Sequence, residues 1–349
     1  MTTAPSAPDE RPAPVDASQP YALLTPDTVL NALESVGLRG DGRLIALNSY
    51  ENRVYQVWLE EPAPFGVSVV AKFYRPQRWS TAAILEEHAF VAELADREIP
   101  AVPPMLLGGK TLNEFEGFRF SATPRLSGRS PELDNMETLT WMGRFIGRIH
   151  AIGELRPFSE RPTLNIESFG TEPRAYLLEN NFIPADLLPA WSSVSAMALD
   201  GIREIFDRVG TVKSIRLHGD CHASNVLWND SGPHFVDFDD CRMGPAVQDL
   251  WMLLSGDREA MQAQLANIIK GYEDFCEFDD NELQLIEALR TLRLLHYSGW
   301  IARRWHDPAF PAAFPWFNTQ RYWQDRVLEL REQIAAMQEP GLRLANFLH

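Results

Sequence analysis

The sequence predicts a two-lobe α+β fold, a small lobe with a five-stranded antiparallel sheet and one main helix followed by a larger, mainly helical lobe. Three observations carry this. Residues 43–123 contain short runs of alternating or β-branched residues broken by Asn/Ser and Pro/Gly turns. From residue 136 onward apolar residues recur at helical spacing. With 349 residues, 45% of them hydrophobic, the chain can build two cores.

Residues 1–20 are rich in Ala, Pro, Ser and Asp with almost nothing to bury, which predicts a disordered tail. Thr25-Pro26-Asp27 then opens a helix, with Thr25 as N-cap and Pro26 in the first turn; Val29, Leu30, Leu33 and Val36 form its apolar face and Gly37 ends it. Strands are expected at 43–47, 53–60 and 67–74 as an antiparallel meander, and a hairpin of 105–107 with 117–123 completes a small lobe spanning residues 21–124. A helix is expected over 80–97, where Ile84, Val91 and Leu94 mark one face and Glu87 falls on the same stripe. A carboxylate on a buried face needs a cation. Lys72, on the sheet face opposite Val69, Ala71 and Phe73, is the candidate, whereas Glu86 points about 100° away from Glu87 and reads as a solvated charge.

The larger lobe, residues 125–349, begins with a linker at 124–129 and a helix from Met136 to His150, with His150 read as a packed core histidine. A loop-rich stretch is expected over 156–184, a helix over 188–209, and helices beyond Gly256 with Leu283, Ile286, Leu289, Leu292, Leu294 and Leu295 in the core. The run from Tyr297 to Trp316, rich in Trp, Arg and Pro, fits a docking surface and plain core equally well.

The chemistry concentrates in Leu217-His218-Gly219-Asp220-Cys221-His222-Ala223-Ser224-Asn225 and in Phe235-Val236-Asp237-Phe238-Asp239-Asp240. Two β-like runs, 214–217 and 234–238, bracket a polar loop and bring Asp220, Asn225 and Asp237 to strand ends. Phosphoryl transfer needs one carboxylate to position the attacking hydroxyl, and an amide oxygen and a second carboxylate to hold Mg²⁺ across the phosphates of a nucleotide. These three residues are of the right types, and Asn225 lies five positions after Asp220, the spacing of a kinase catalytic loop. A zinc or redox centre from His218, His222, Cys221 and Cys241 lacks the usual ligand spacing, so His218 and Cys221 read as loop packing and His222 as a neighbour of the phosphates. Asp249 precedes a helix apolar on every side, so its carboxylate must be met by donors. Asp239 and Asp240 are ambiguous: either fits a second metal or the acceptor, but adjacent carboxylates are more often solvated or paired with a base such as Arg242.

These motifs resemble the aminoglycoside phosphotransferase and choline kinase superfamily, distant relatives of protein kinases. Within it the chain most closely resembles the stress response kinase A family of bacterial Ser/Thr protein kinases, through Asn48-Ser49-Tyr50-Glu51-Asn52-Arg53-Val54-Tyr55, Lys72-Phe73-Tyr74-Arg75-Pro76, residues 217–225 and Gly244-Pro245-Ala246-Val247-Gln248-Asp249-Leu250-Trp251. The resemblance implies a protein-kinase-like fold that binds ATP with Mg²⁺, or Mn²⁺ in its place, between the lobes and phosphorylates Ser/Thr hydroxyls of protein substrates in a bacterial stress response. It implies Asp220 as catalytic base, Asn225 and Asp237 as metal ligands, Lys72 on the phosphates with Glu87 orienting it, and Asp249 bonded to backbone amides of the catalytic loop. Residues 48–52 take the place of a nucleotide-covering loop without its glycines, so phosphate contact falls to Ser49, Asn52 and backbone amides.

The local motifs alone say only ATP-dependent transfer to a hydroxyl. A small-molecule alcohol kinase of aminoglycoside, choline or homoserine type stays open, as does, less favoured, a non-catalytic nucleotide-binding regulator. Between Asp237 and Asp249 there is no room for a long activation loop, which argues against switching by its phosphorylation. A formal charge of -16 argues against nucleic acid and anionic membrane as partners. No apolar run reaches the ~20 residues of a membrane span and no signal-peptide pattern opens the chain, so a cytoplasmic monomer with reduced cysteines is expected.

Overall fold

The structure, a computed structural model, describes residues 19–344; the tail expected over residues 1–20 lies outside them except for Gln19 and Pro20. The described chain divides into two units. The first runs to Ser80 and includes Pro104–Arg125 and His306–Pro308; the second comprises Thr81–Pro103, Leu126–Trp305 and the chain from Ala309 onward. The helix carrying Glu87 therefore belongs to the second unit.

In the first unit, Thr25 caps α1 (Pro26–Ser35) by accepting from the Thr28 amide, and the helix buries Val29, Ala32 and Leu33. The sheet is antiparallel in the order β1-β2-β3-β5-β4, built from β1 (Gly40–Leu47), β2 (Arg53–Ala63), β3 (Gly66–Phe73), β4 (Asn113–Phe115) and β5 (Phe118–Pro124). Strand alternation decides its inner face: Val69, Ala71 and Phe73 are fully buried, and Phe73 stacks on Phe120 at 5.4 Å. The fifth strand is not at 105–107, as the sequence suggested. Met105 gives its amide to Ala122 and Leu107 pairs only with nearby Lys110, since Pro103 and Pro104 lack the N–H groups a ladder needs. The hairpin partner is β4, joined to β5 through Glu116 and Gly117, both at positive φ, as a tight two-residue turn requires.

The second unit is mainly helical: α2 (Thr81–Asp96), α3 (Met136–Gly153), α4 (Glu172–Glu179), α5 (Leu188–Val209), α6 (Val247–Trp251), α7 (Arg258–Tyr272), α8 (Ile286–Arg303), α9 (Ala309–Ala313) and α10 (Gln320–Gln338). Helix α3 crosses α7 at Gly143, where a Cβ would come within 1.9 Å of the Ile268 carbonyl oxygen, so only glycine permits the approach. Residues 156–184 are more ordered than expected, holding a π-helical turn (Glu167–Thr171) that runs directly into α4. The aromatic run packs largely on itself: Trp300 meets Phe310 at 5.1 Å, Trp305 meets Phe317 at 5.1 Å and Trp316 meets Tyr322 at 5.3 Å. This favours the core reading. Among the described residues no helix is long and apolar enough to cross a membrane.

Glu282, 3% exposed in the turn before α8, accepts a 2.8 Å bond from the Val247 amide. Burial pushes its carboxyl up to about 7 against that bond. Because the folded-state value lies above the unfolded one, its contribution to stability is complete below pH ~4.5 and is lost as the pH rises to about 7. Glu282→Gln keeps an acceptor for Val247 but cannot ionise. In urea unfolding the wild type should lose on the order of 3 kcal/mol more than Glu282→Gln between pH 4.5 and 8; equal losses would contradict this.

Candidate active site

Strand β6 (Ile215–Leu217) delivers the chain into the His218–Asp220 turn, and it pairs with β9 (Arg242–Gly244). The hairpin of β7 (Val226–Asn229) and β8 (Gly232–Phe235) follows, with a 3₁₀ turn at Ala223–Asn225 between. The two expected strands thus belong to separate ribbons. The second ends at Phe235, not Phe238. Asp237 takes a left-handed conformation (φ 59°, ψ 61°) and caps a 3₁₀ turn, Phe238–Asp240. Asp tolerates this region better than most residues, and a non-glycine residue held there is a common feature of functional sites.

Gly219, at φ +84°, sits so close to Asp240 that a Cβ would lie 2.2 Å from its carbonyl oxygen. This is why glycine precedes Asp220. The turn is anchored from below by Asp249, 1% exposed: Oδ2 accepts from the His218 amide and Oδ1 from the Gly219 amide, both at 2.8 Å. His150 completes the anchor, its Nε2 lying 3.1 Å from Asp249 Oδ2 and its Nδ1 3.0 Å from the Tyr272 hydroxyl. An ionised carboxylate only accepts, so Nε2 carries the proton. Both sequence readings, Asp249 as anchor and His150 as core, describe what is seen. His218 also works as loop packing: its Nε2 donates to the Val236 carbonyl at 2.9 Å, and its ring lies 4.4 Å from that of Phe238.

Asp220 itself is only partly covered, and its two carboxylate oxygens differ: Oδ1 is buried without a hydrogen bond and faces a guanidinium, whereas Oδ2 faces an imidazole. Arg293 of α8 reaches Oδ1 at 2.8 Å, and His222 Nε2 lies 3.4 Å from Oδ2. His222 accepts from the Ser224 amide at Nδ1, which places its proton on Nε2, facing Asp220. Burial pushes the Asp220 carboxyl up, but the His222 hydrogen bond and the Arg293 guanidinium outweigh it and hold the group below the ordinary aspartate value. Asn225 donates Nδ2 to the Asp220 carbonyl at 3.0 Å, which turns its amide oxygen away as an acceptor. Asp237 is exposed, and Asp240 pairs with Arg242 at 2.8 Å. Asp220 and Asn225 are thus joined by a direct bond, and Asp237 follows two residues after β8.

Sequence reasoning missed three residues here. Arg161, fully buried at its side chain, bonds Glu87 Oε2 at 3.1 Å, the carbonyls of Phe238 at 3.2 Å and Asp239 at 2.7 Å, and Cys241 Sγ at 3.1 Å. It ties helix α2 to the turn after Asp237. Glu86, expected to be solvated, instead accepts from the amides of Ser159, Glu160 and Arg161 at 2.6–2.9 Å, so adjacent glutamates grip one segment by its backbone and its guanidinium. Arg293 is the third. Cys221 and Cys241 are buried thiols; burial holds the first well above its ordinary value and pushes the second up to about 12, so both stay protonated.

In the first unit Lys72 is half-buried in the middle of the sheet, opposite Val54 and Ser121, with Nζ 5.1 Å from the Tyr74 ring centroid. The glycine-free loop at 48–52 is held by side chains instead. Glu51 pairs with Arg75 at 3.5 Å and Arg78 at 3.8 Å, and Arg75 also pairs with Asp307 at 2.9 Å. Asn52 is 3% exposed, and its Oδ1 accepts from the Arg75 amide at 3.1 Å. That bond gives Asn52 a structural task, different from the phosphate contact expected of it. Ser49 is half-buried on the same loop.

Residues 43–286 match the model of the phosphotransferase enzyme family. Stress response kinase A of Escherichia coli K12 is 44% identical over 324 residues, 93% of this chain and 97% of that protein. The Salmonella typhimurium serine/threonine protein kinase RdoA is 43% identical with the same coverage. A solved structure of an amicoumacin kinase, in complex with AMP-PNP, Ca²⁺ and Ami, shares the fold at a TM-score of 0.69 and 19% identity, covering 89% of this chain and 93% of that one. The fold and the Asp220 loop define a kinase-like phosphotransferase. The chain belongs to the phosphotransferase enzyme family and, within it, to the stress response kinase A family.

Proposed function

We propose that the protein transfers the γ-phosphoryl group of ATP to Ser or Thr hydroxyls of protein substrates, acting as a monomer in a bacterial stress response. The observation that carries the reading is the Asp220 turn: a partly accessible carboxylate, kept ionised, on a backbone fixed by Asp249 and bonded to Asn225. Protein acceptors are favoured by the relatives named Ser/Thr protein kinase and stress response kinase A.

In this reading Asp220 positions the acceptor hydroxyl and takes its proton, and Lys72 supplies the cation for the α- and β-phosphates, with Glu87 orienting it. Asn225 and Asp237 fit a hard divalent cation. Both offer oxygen, and the Asn225 amide nitrogen is already committed to the Asp220 carbonyl. Mg²⁺ or Mn²⁺ held there would neutralise charge on the phosphates. Ser49 and backbone amides of its loop would meet the phosphate oxygens.

Incubation with γ-labelled ATP, a proteome extract and a panel of metabolite alcohols tests the proposal. Label should enter protein Ser/Thr, require Mg²⁺ or Mn²⁺, and survive a zinc-selective chelator. Label confined to small alcohols would overturn the protein-kinase reading. Replacing Lys72 with Met should raise KM for ATP and lower kcat/KM by ~10-fold or more while the melting temperature holds, because a half-buried strand residue is exchanged for one of similar length. An unchanged kcat/KM for ATP would remove Lys72 from the site.

A further inference from the structure

A chain of net charge -16 would at first sight suit an amine-bearing acceptor. The surroundings of Asp220 point the other way. Arg293 lies 2.8 Å from Asp220 Oδ1, one of the two oxygens to which an acceptor hydroxyl can bond, with 40% of its side chain still exposed. Positive charge continues behind it. Arg242 is spread over the Phe169 ring at 4.7 Å, and His296 stacks on the same ring at 4.2 Å. Burial first, and then the guanidinium groups of Arg242, Arg293 and Arg304, hold His296 neutral at pH 7 with a value of about 3. Of the acidic groups nearby, Asp240 is already paired with Arg242. An ammonium group brought to this side of Asp220 would meet the Arg293 guanidinium.

We propose that Arg293 is the acceptor-selecting residue of this site: it admits hydroxyls carried by anionic molecules, in particular serine or threonine flanked by acidic residues, and excludes amine-bearing alcohols. The inference rests on Asp220 being the base in the reading above. An acidic group beside the incoming hydroxyl takes over the Arg293 guanidinium, and the exchange of one ion pair for another frees Asp220 Oδ1 for the hydroxyl. Arginine suits this task because its fork can hold a carboxylate in two-point contact while staying charged at any working pH. A neutral acceptor would have to break the Arg293–Asp220 pair with nothing in return.

Three serine peptides of one length, with Glu, Gln or Lys on both sides of the serine, separate the possibilities. Their binding to the full chain with ADP and Mg²⁺ present is read by fluorescence anisotropy, and their labelling is read with γ-labelled ATP. The Glu peptide should bind the wild type ~10-fold or more tighter than the Lys peptide. Arg293→Glu should invert that order, Arg293→Ala should bring the ratio close to one, and Arg293→Lys should keep its sign. A ratio that is the same in wild type and Arg293→Glu, or a wild type that prefers the Lys peptide, would overturn the assignment; so would variants that weaken all three peptides equally, the mark of a structural role. The labelling arm reports on the protein-kinase reading separately. Charge-ordered binding through Arg293 without label on any peptide would sink that reading and leave the assignment standing.

Discussion

Asp249→Ala should be among the most damaging substitutions in the chain, although this residue is expected to touch neither nucleotide nor acceptor. The change leaves the amides of His218 and Gly219 and the Nε2–H of His150 without an acceptor in a site where Asp249 is 1% exposed. An orphaned buried donor costs ~1–3 kcal/mol, so the loss should reach about 3 kcal/mol or more. The small side chain also leaves a void between α6, which carries residue 249, and the His218–Asp220 turn. Urea unfolding followed at equilibrium would measure it, with Asp249→Asn expected to fall between the two because the amide keeps one oxygen but turns an NH₂ group towards the same donors. A variant within ~0.5 kcal/mol of wild type would mean that the His218–Asp220 turn does not depend on this anchor.

Features governed by local pattern were legible in the sequence. Helix α5 occupies the expected residues, Leu188–Val209, because its apolar residues keep helical spacing over six turns and Gly210, at φ 75°, ends it. The Thr25 cap and the alternation of Val69, Ala71 and Phe73 were readable for the same reason. Asp249 was recognisable as an anchor because a carboxylate in a wholly apolar helix has to find donors.

What was hidden depends on contacts far along the chain. Glu86 is an ordinary helix-surface charge until the 159–161 amides, more than seventy residues on, close over it. Arg161 lies in a Glu-Arg-Pro stretch with no periodicity, and Arg293 lies within a helix read only for its leucines. Nothing local marks either as a partner of Glu87 or Asp220. The strand assigned through Phe238 failed differently. Val236-Asp237-Phe238 alternates as a strand should, but Asp237 turns left-handed so that the Phe238 and Asp239 carbonyls face Arg161. The five-strand count was right, yet one strand was misplaced because the hydrophobic Met105–Leu107 run outweighed the Glu116–Gly117 turn signal.

The central claim is that Asp220 acts on the acceptor and does not merely shape its loop, and Asp220→Asn measured by turnover, nucleotide titration and calorimetry on one preparation tests it most directly. The substitution keeps the size of the side chain. One amide oxygen can still accept from His222 or face the Arg293 guanidinium, and the Asp249 bonds to the preceding amides and the Asn225 bond to the Asp220 carbonyl are untouched. What disappears is the charge that makes the group a base. Turnover should therefore fall by ~10²-fold or more while ATP affinity and melting temperature stay close to wild type. Turnover within a factor of a few of wild type, or a loss of ATP binding and thermal stability in step with turnover, would contradict the claim and make Asp220 a scaffold residue.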